Sequence, residues 1–147
     1  MILYLDTSAL VKLYVREAGS VAVQRGAGAA EAAATSAVAY AESRAAFARL
    51  ARERPASRRL HRKRVAQLDR DWEHYVIVEL TPAVARRAGE LAELHALRGF
   101  DAIHLASALW LQSVYSPEVA FIAFDRRLTT AAAAAGLGLA PGAFPPH

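Results

Sequence analysis

Ile2-Leu3-Tyr4-Leu5-Asp6-Thr7-Ser8 opens the chain with four apolar residues, an acid and two hydroxyls. An uninterrupted apolar run of this length suits a parallel strand buried on both faces. The acid then falls where that strand ends and a helix over Ser8 to Val15 begins, with Leu10, Leu13 and Tyr14 on one face. Gly19-Ser20 breaks this helix, and Ser20 can cap a second one running toward Gly28.

The alternation continues outward. Ala32 to Thr35 is a weak strand candidate, and Ala37 to Glu53 is helical in pattern. Pro55 separates it from a basic helix over Ala56 to Trp72. Tyr75 to Leu80 is β-branched and apolar, hence a strand, and Thr81-Pro82 supplies a cap and first-turn proline for a helix to Leu97. Asp101 opens a helix to about Val114, Ser116-Pro117 is a turn, and Val119 to Phe124 is a strand ending at Asp125. The alanine run at 131–135 forms a helix stopped by Gly136, Leu137 to Ala140 adds a short strand, and 141–147 is a tail. Strands alternating with helices imply an α/β fold, a parallel sheet between helical layers. One domain over 1–140 is expected, with no internal repeat or linker.

Composition narrows the class. No apolar stretch in the 147 residues approaches the about 20 of a membrane span. The N-terminal segment lacks the basic start of a signal peptide, and cysteine is absent, which excludes disulfides and thiolate chemistry. A cytoplasmic location is the expectation. The net charge of +4 and pI near 9.8 suit a polyanionic partner. Ten of the eighteen basic side chains lie between Arg44 and Arg70, against Glu53 and Asp69 alone. That segment reads either as a solvated helical hairpin or as a surface tracking phosphates.

Four acids carry the chemistry: Asp6, Glu42, Asp101 and Asp125. Asp6 and Asp125 follow apolar strands, while Glu42 and Asp101 fall in the first turns of helices after loops. Each aspartate has a plain structural role as a helix cap, worth about 1 kcal/mol, and a helical glutamate ordinarily faces water. In an open α/β sheet, however, the carboxyl ends of the strands share one edge where ligands bind. Carboxylates gathered there at about 5 Å repel by on the order of 3 kcal/mol per pair at an effective dielectric near 20. A divalent cation offsets that repulsion, and an all-oxygen donor set favours Mg2+ or Mn2+ over zinc. A cation so held supports phosphodiester cleavage. His104 lies one turn after Asp101, although a helical histidine more often packs, and His61, His74, His95 and His147 lack metal-ligand spacing. Trp72, Trp110 and Tyr75 read as core or partner-facing aromatics.

Tyr4-Leu5-Asp6-Thr7-Ser8-Ala9-Leu10-Val11-Lys12-Leu13-Tyr14, Ala39-Tyr40-Ala41-Glu42, Phe100-Asp101-Ala102-Ile103-His104-Leu105-Ala106-Ser107-Ala108 and Phe124-Asp125-Arg126-Arg127-Leu128 occur in the order of the PIN-domain motifs. The chain resembles that family from Ile2 to about Leu139, and most nearly its VapC-type toxins of toxin–antitoxin pairs. The resemblance implies a three-layer α/β/α sandwich and a metal-dependent endoribonuclease leaving a 5′-phosphate and a 3′-hydroxyl. It makes Asp6, Glu42, Asp101 and Asp125 the acidic quartet. Asp6 and Asp101 would contact the metal directly, Glu42 and Asp125 directly or through water, and Thr7 or Ser8 would orient Asp6 or a water. It further implies a homodimer, an RNA substrate and inhibition by a small VapB-type antitoxin. Ala123 departs from the pattern, because family members commonly carry a hydroxyl two positions before the fourth aspartate. The alternative reading is a catalytically weak RNA- or protein-binding module on the same fold. A receiver-type signalling domain would need adjacent acids after the first strand, where Asp6-Thr7 stands.

Overall fold

The computed structural model describes residues 1–115 and 118–142. The expected turn at Ser116-Pro117 and most of the expected tail lie outside the described residues. Five strands form one all-parallel sheet: β1 (Ile2–Leu5), β2 (Ala32–Ser36), β3 (Val76–Val78), β4 (Val119–Ile122) and β5 (Gly138–Leu139), in the spatial order β3-β2-β1-β4-β5. The first crossover carries α1 (Thr7–Val11) and α2 (Ser20–Ala29), and the second carries α3 (Val38–Glu53) and α4 (Pro55–Trp72). The chain returns through α5 (Pro82–His95) and α6 (Gly99–Val114) to pair β4 on the other side of β1, and α7 (Arg126–Ala134) leads to β5.

The central strand explains the layering. All four β1 residues are buried, and the pleat sends them to opposite faces. Ile2 and Tyr4 join a core with α5, α6 and α7, whereas Leu3 and Leu5 join one with α1 to α4. An α/β/α sandwich results. Because β1 pairs with β2 on one side and β4 on the other, the order reverses between β1 and β4. The crevice above their carboxyl ends is the topological switch point, where ligands of such sheets bind.

Several boundaries differ from the expectations. The first helix ends at Val11 and continues only as turns, with Leu13 and Tyr14 bonding back to Leu10 and Val11. Thr81 caps α5 through its hydroxyl, which accepts from the Val84 amide, but α5 stops at His95 because Ala96 turns left-handed at φ 53°. β3 spans only Val76–Val78, and β4 ends at Ile122, three residues short of Asp125. Pro55 opens α4 as its first residue.

The basic segment is indeed a helical hairpin of α3 on α4, although not wholly solvated. Arg64 is 7% exposed, and its Nε and Nη1 find no partner among the described residues. Trp72 packs edge-on against Tyr40 and Tyr75, while Trp110 is 46% exposed and does not belong to the core. Among the described residues, no helix is long and apolar enough to cross a membrane.

Candidate active site

The backbone delivers the four acids to one crevice by different routes. Asp6 leaves β1 in an extended conformation and caps α1, its Oδ1 accepting from the Ala9 amide at 2.9 Å and the Ser8 hydroxyl at 2.7 Å. Asp125 caps α7 in the same manner, its Oδ1 accepting from the Leu128 amide at 2.9 Å. Capping occupies one oxygen of each carboxylate.

Asp101 is not a cap. The helix starts two residues earlier at Gly99, behind Arg98, whose side chain caps nothing. Asp101 therefore sits in the first turn, where the free amides and helix dipole favour an anion, with Arg98 Nε at 3.4 Å. Glu42 lies in the second turn of α3, not in the first as expected. Its Oε1 accepts from the Thr7 hydroxyl at 2.5 Å and faces His104 Nε2 at 3.2 Å.

His104 is the residue that sequence reasoning undervalued. It is 2% exposed, its Nε2 also meets Thr7 Oγ1 at 2.9 Å, and its Nδ1 lies 2.9 Å from the Tyr4 hydroxyl. Burial, reinforced by the charges of Asp6 and Glu42, pushes the Tyr4 phenol well above its ordinary value of 10.0, so it stays protonated and donates to Nδ1. Nε2 then bears the ring hydrogen and points it at Thr7 and Glu42. A relay runs from the floor of the sheet to the cleft: Tyr4, His104, then Thr7 and Glu42. The signal in the sequence was the three-residue step from Asp101 to His104, which places both on one side of α6.

Electrostatics separates the two acids on β1 and α3. Burial raises the Asp6 carboxyl above 3.8, assisted by the charge of Asp101 and opposed by His104 and the bonds from Ala9 and Ser8. Burial also pushes Glu42 up, but the hydrogen bonds from His104 and Thr7 outweigh it, and the net is below 4.5.

Asp6, Glu42, Asp101 and Asp125 line a single cavity of about 470 Å³, together with Thr7, His104, Lys12 and Arg49. Lys12 pairs with Glu17 at 2.9 Å and lies over the Phe124 ring. Among the described residues, no three His, Asp or Glu side chains converge into a ready ligand set. The donor chemistry nevertheless fits a hard, hydrated cation, because Mg2+ retains several waters and binds through one or two carboxylates plus phosphate oxygens. Ala123 contributes no hydroxyl, but Thr129 on α7 donates to the Asp125 carbonyl at 2.9 Å and steadies the turn from below.

A parallel sheet with an acid-lined cleft at its switch point defines a class of α/β proteins whose edge holds cations and phosphates. Within that class, residues 3–134 match the PIN domain, and the chain belongs to the PIN-domain family. It is 43% identical to Ribonuclease VapC45 of Mycobacterium tuberculosis over 149 aligned residues, covering 99% of each chain. Among solved structures, it resembles a toxin–antitoxin complex from Klebsiella pneumoniae (TM-score 0.66, 17% identity, 99% of this chain and 98% of that one). It also resembles VapC20 of Mycobacterium tuberculosis, a sarcin–ricin-loop-cleaving toxin (TM-score 0.63, 21% identity, 92% and 95%). At these identities the two structures establish the fold.

Proposed function

We propose that this chain is a metal-dependent endoribonuclease, the toxin of a toxin–antitoxin pair. The observation that carries the reading is the meeting of Asp6, Glu42, Asp101 and Asp125 in one cavity, in a chain 43% identical to a named ribonuclease. Its partners are an RNA substrate and a small antitoxin of the VapB type, the latter supported by the fold it shares with a toxin–antitoxin complex. We assign it to the cytoplasm as a homodimer, with residues 1–140 as the nuclease domain.

Asp6 and Asp101 would hold the cation, Mg2+ or Mn2+, with Glu42 and Asp125 close enough in the cleft to act directly or through water. Once bound, the cation neutralises the phosphate oxygens and makes a water more acidic. The protein's own groups do the rest. Asp6 is fixed by two donors on Oδ1, and Oδ2 would be its ligand to the cation. Thr7 and His104 hold Glu42 by Oε1, leaving Oε2 to accept the proton of the attacking water. Lys12 and Arg49 stand on the cavity wall to receive phosphate oxygens. Water adds to phosphorus, the P–O3′ bond breaks, the departing 3′-oxygen takes a proton from solvent water, and the products are a 5′-phosphate and a 3′-hydroxyl.

The test is cleavage of end-labelled total RNA by antitoxin-free protein in Mg2+ or Mn2+ against EDTA, with Asp6→Asn alongside. Discrete fragments that require the metal and vanish in the variant are expected. Equal cleavage by a folded Asp6→Asn, Asp101→Asn double variant refutes the assignment.

A further inference from the structure

A second hollow, of about 570 Å³, opens directly beside the acidic cleft. It is lined by Gly99, Phe100 and Ile103 and shares Glu42, Arg98 and Asp101 with the cleft. The contrast between the two is chemical: the cleft is lined largely by charged and polar side chains, whereas an aromatic ring and an isoleucine face the hollow. Phe100 is 55% exposed in the first turn of α6. A Cβ built on Gly99 would meet nothing within 4 Å, so the protein leaves this rim open. Single exposed apolar residues are ordinary. A phenyl ring on an open hollow that adjoins four carboxylates is a more specific feature.

The charges around it are shared among three cavities that meet at Arg98 and Asp101. Arg98, with 84% of its side chain exposed, borders the hollow, the acidic cleft and a third cavity of about 290 Å³. That third cavity shares Asp101 and Asp125 with the cleft and adds Arg126 and Arg127. Arg127 is braced there by donating from Nη1 to the Ala96 carbonyl. An aromatic hollow, the acidic cleft and an arginine-lined shelf therefore adjoin one another around Arg98 and Asp101. A nucleic-acid strand presents the matching groups side by side: a base, a scissile phosphate and a neighbouring phosphate. Proteins that read unpaired RNA stack splayed bases on aromatic rings and on guanidinium planes.

We propose that Phe100 and the Arg98 guanidinium cradle one unpaired nucleobase of the RNA next to the phosphate that is cut. This rests on the ribonuclease reading above. The face of the ring supplies stacking without hydrogen-bond readout, while the arginine serves as a second plane and counters the adjoining phosphate. A base-paired nucleotide keeps both faces stacked in its helix and cannot enter.

The test uses a fluorescein-labelled ten-nucleotide oligoribonucleotide of mixed sequence and the same oligonucleotide with central abasic positions. Both are titrated by anisotropy, in Mg2+, onto an Asp6→Asn background that does not cut them. Phe100→Ala should weaken binding of the intact strand by about 5- to 150-fold, the effect of one lost base stack. It should leave binding of the abasic strand unchanged, and Phe100→Trp should restore the intact strand. Equal weakening of both strands, or none of either, overturns the cradle. Loss of antitoxin binding or of the dimer in Phe100→Ala, with RNA binding intact, assigns the hollow to a protein and also overturns it. Failure of the ribonuclease reading is told apart by the parent protein: if it neither binds nor cuts RNA, both readings fall, whereas a parent that cuts removes the cradle alone.

Discussion

Tyr4→Phe isolates the deepest element of the site. Tyr4 is fully buried in β1, its ring stacked on Phe121 with centroids 5.6 Å apart and planes 5° from parallel. Phenylalanine keeps that stack and the edge contact with His104, so the change removes one hydroxyl and little else. The lost bond is the 2.9 Å contact to His104 Nδ1, which lies in an imidazole only 2% exposed. A buried nitrogen left without its donor costs about 1–3 kcal/mol. At this chain length 1 kcal/mol shifts the melting temperature by about 3 °C, so a fall of about 3–9 °C is expected. The functional consequence is separate. Without the phenol, the ring hydrogen of His104 is free to move to Nδ1 and leave a lone pair against Glu42 Oε1. Losing one hydrogen bond to a charged carboxylate is worth about 1.5–3 kcal/mol, or roughly ten- to hundredfold in cleavage rate. Calorimetry on the metal-free protein and single-turnover cleavage of a labelled RNA measure the two effects. An unchanged melting temperature together with an unchanged rate refutes the relay, because His104 would then hold its tautomer without Tyr4.

The two shifted carboxylates give opposite pH signs. Burial raises Asp6 in the folded state, so its contribution to stability is present below the unfolded value near 3.8 and is lost as pH rises through the folded value. Metal-free Asp6→Asn should therefore melt higher than the parent at neutral pH while cutting no RNA; a lower melting temperature contradicts the buried charge. Glu42 is depressed despite its burial, so its contribution is present above 4.5 and lost as pH falls through the folded value. Glu42→Gln should melt lower at neutral pH, with the difference from the parent closing in acid, and a gap independent of pH argues against the bonds from His104 and Thr7. At Gly19, φ is +93° and a Cβ would stand 2.6 Å from the Phe124 ring. Gly19→Ala should cost about 1–3 kcal/mol in urea unfolding, and a neutral result would show that the ring yields freely.

Most of the fold was legible because its signals are local. Four consecutive apolar residues before Asp6 require a strand covered on both faces, and β1 divides its side chains between the two cores accordingly. Thr81-Pro82 places a helix start by chemistry that acts within three residues, and the Val84 amide bonds that hydroxyl. Errors arose where a boundary depended on something distant or weak. Arg98 offers no capping side chain, so the start of α6 at Gly99 leaves no mark in the sequence, whose nearest capping residue is Asp101. Ala96 takes a left-handed conformation that glycine normally signals, which ended α5 before the expected Leu97.

The site shows the same division more sharply. A capping aspartate and a ligand aspartate look like rival readings in a sequence, since either role accounts for an acid ahead of a helix. They are compatible in three dimensions because a carboxylate has two oxygens. Asp6 and Asp125 each commit Oδ1 to a helix amide, which fixes the side-chain torsions and leaves the second oxygen outside the cap, on a residue that lines the cleft. The cap orients the ligand. His104 could not be judged in this way, since its partners Tyr4 and Thr7 lie 100 and 97 residues away and meet it only once the chain leaving α6 pairs β4 alongside β1. An imidazole acquires a direction from what it donates to and accepts from. In this chain, those partners exist only after the sheet has closed its central pair.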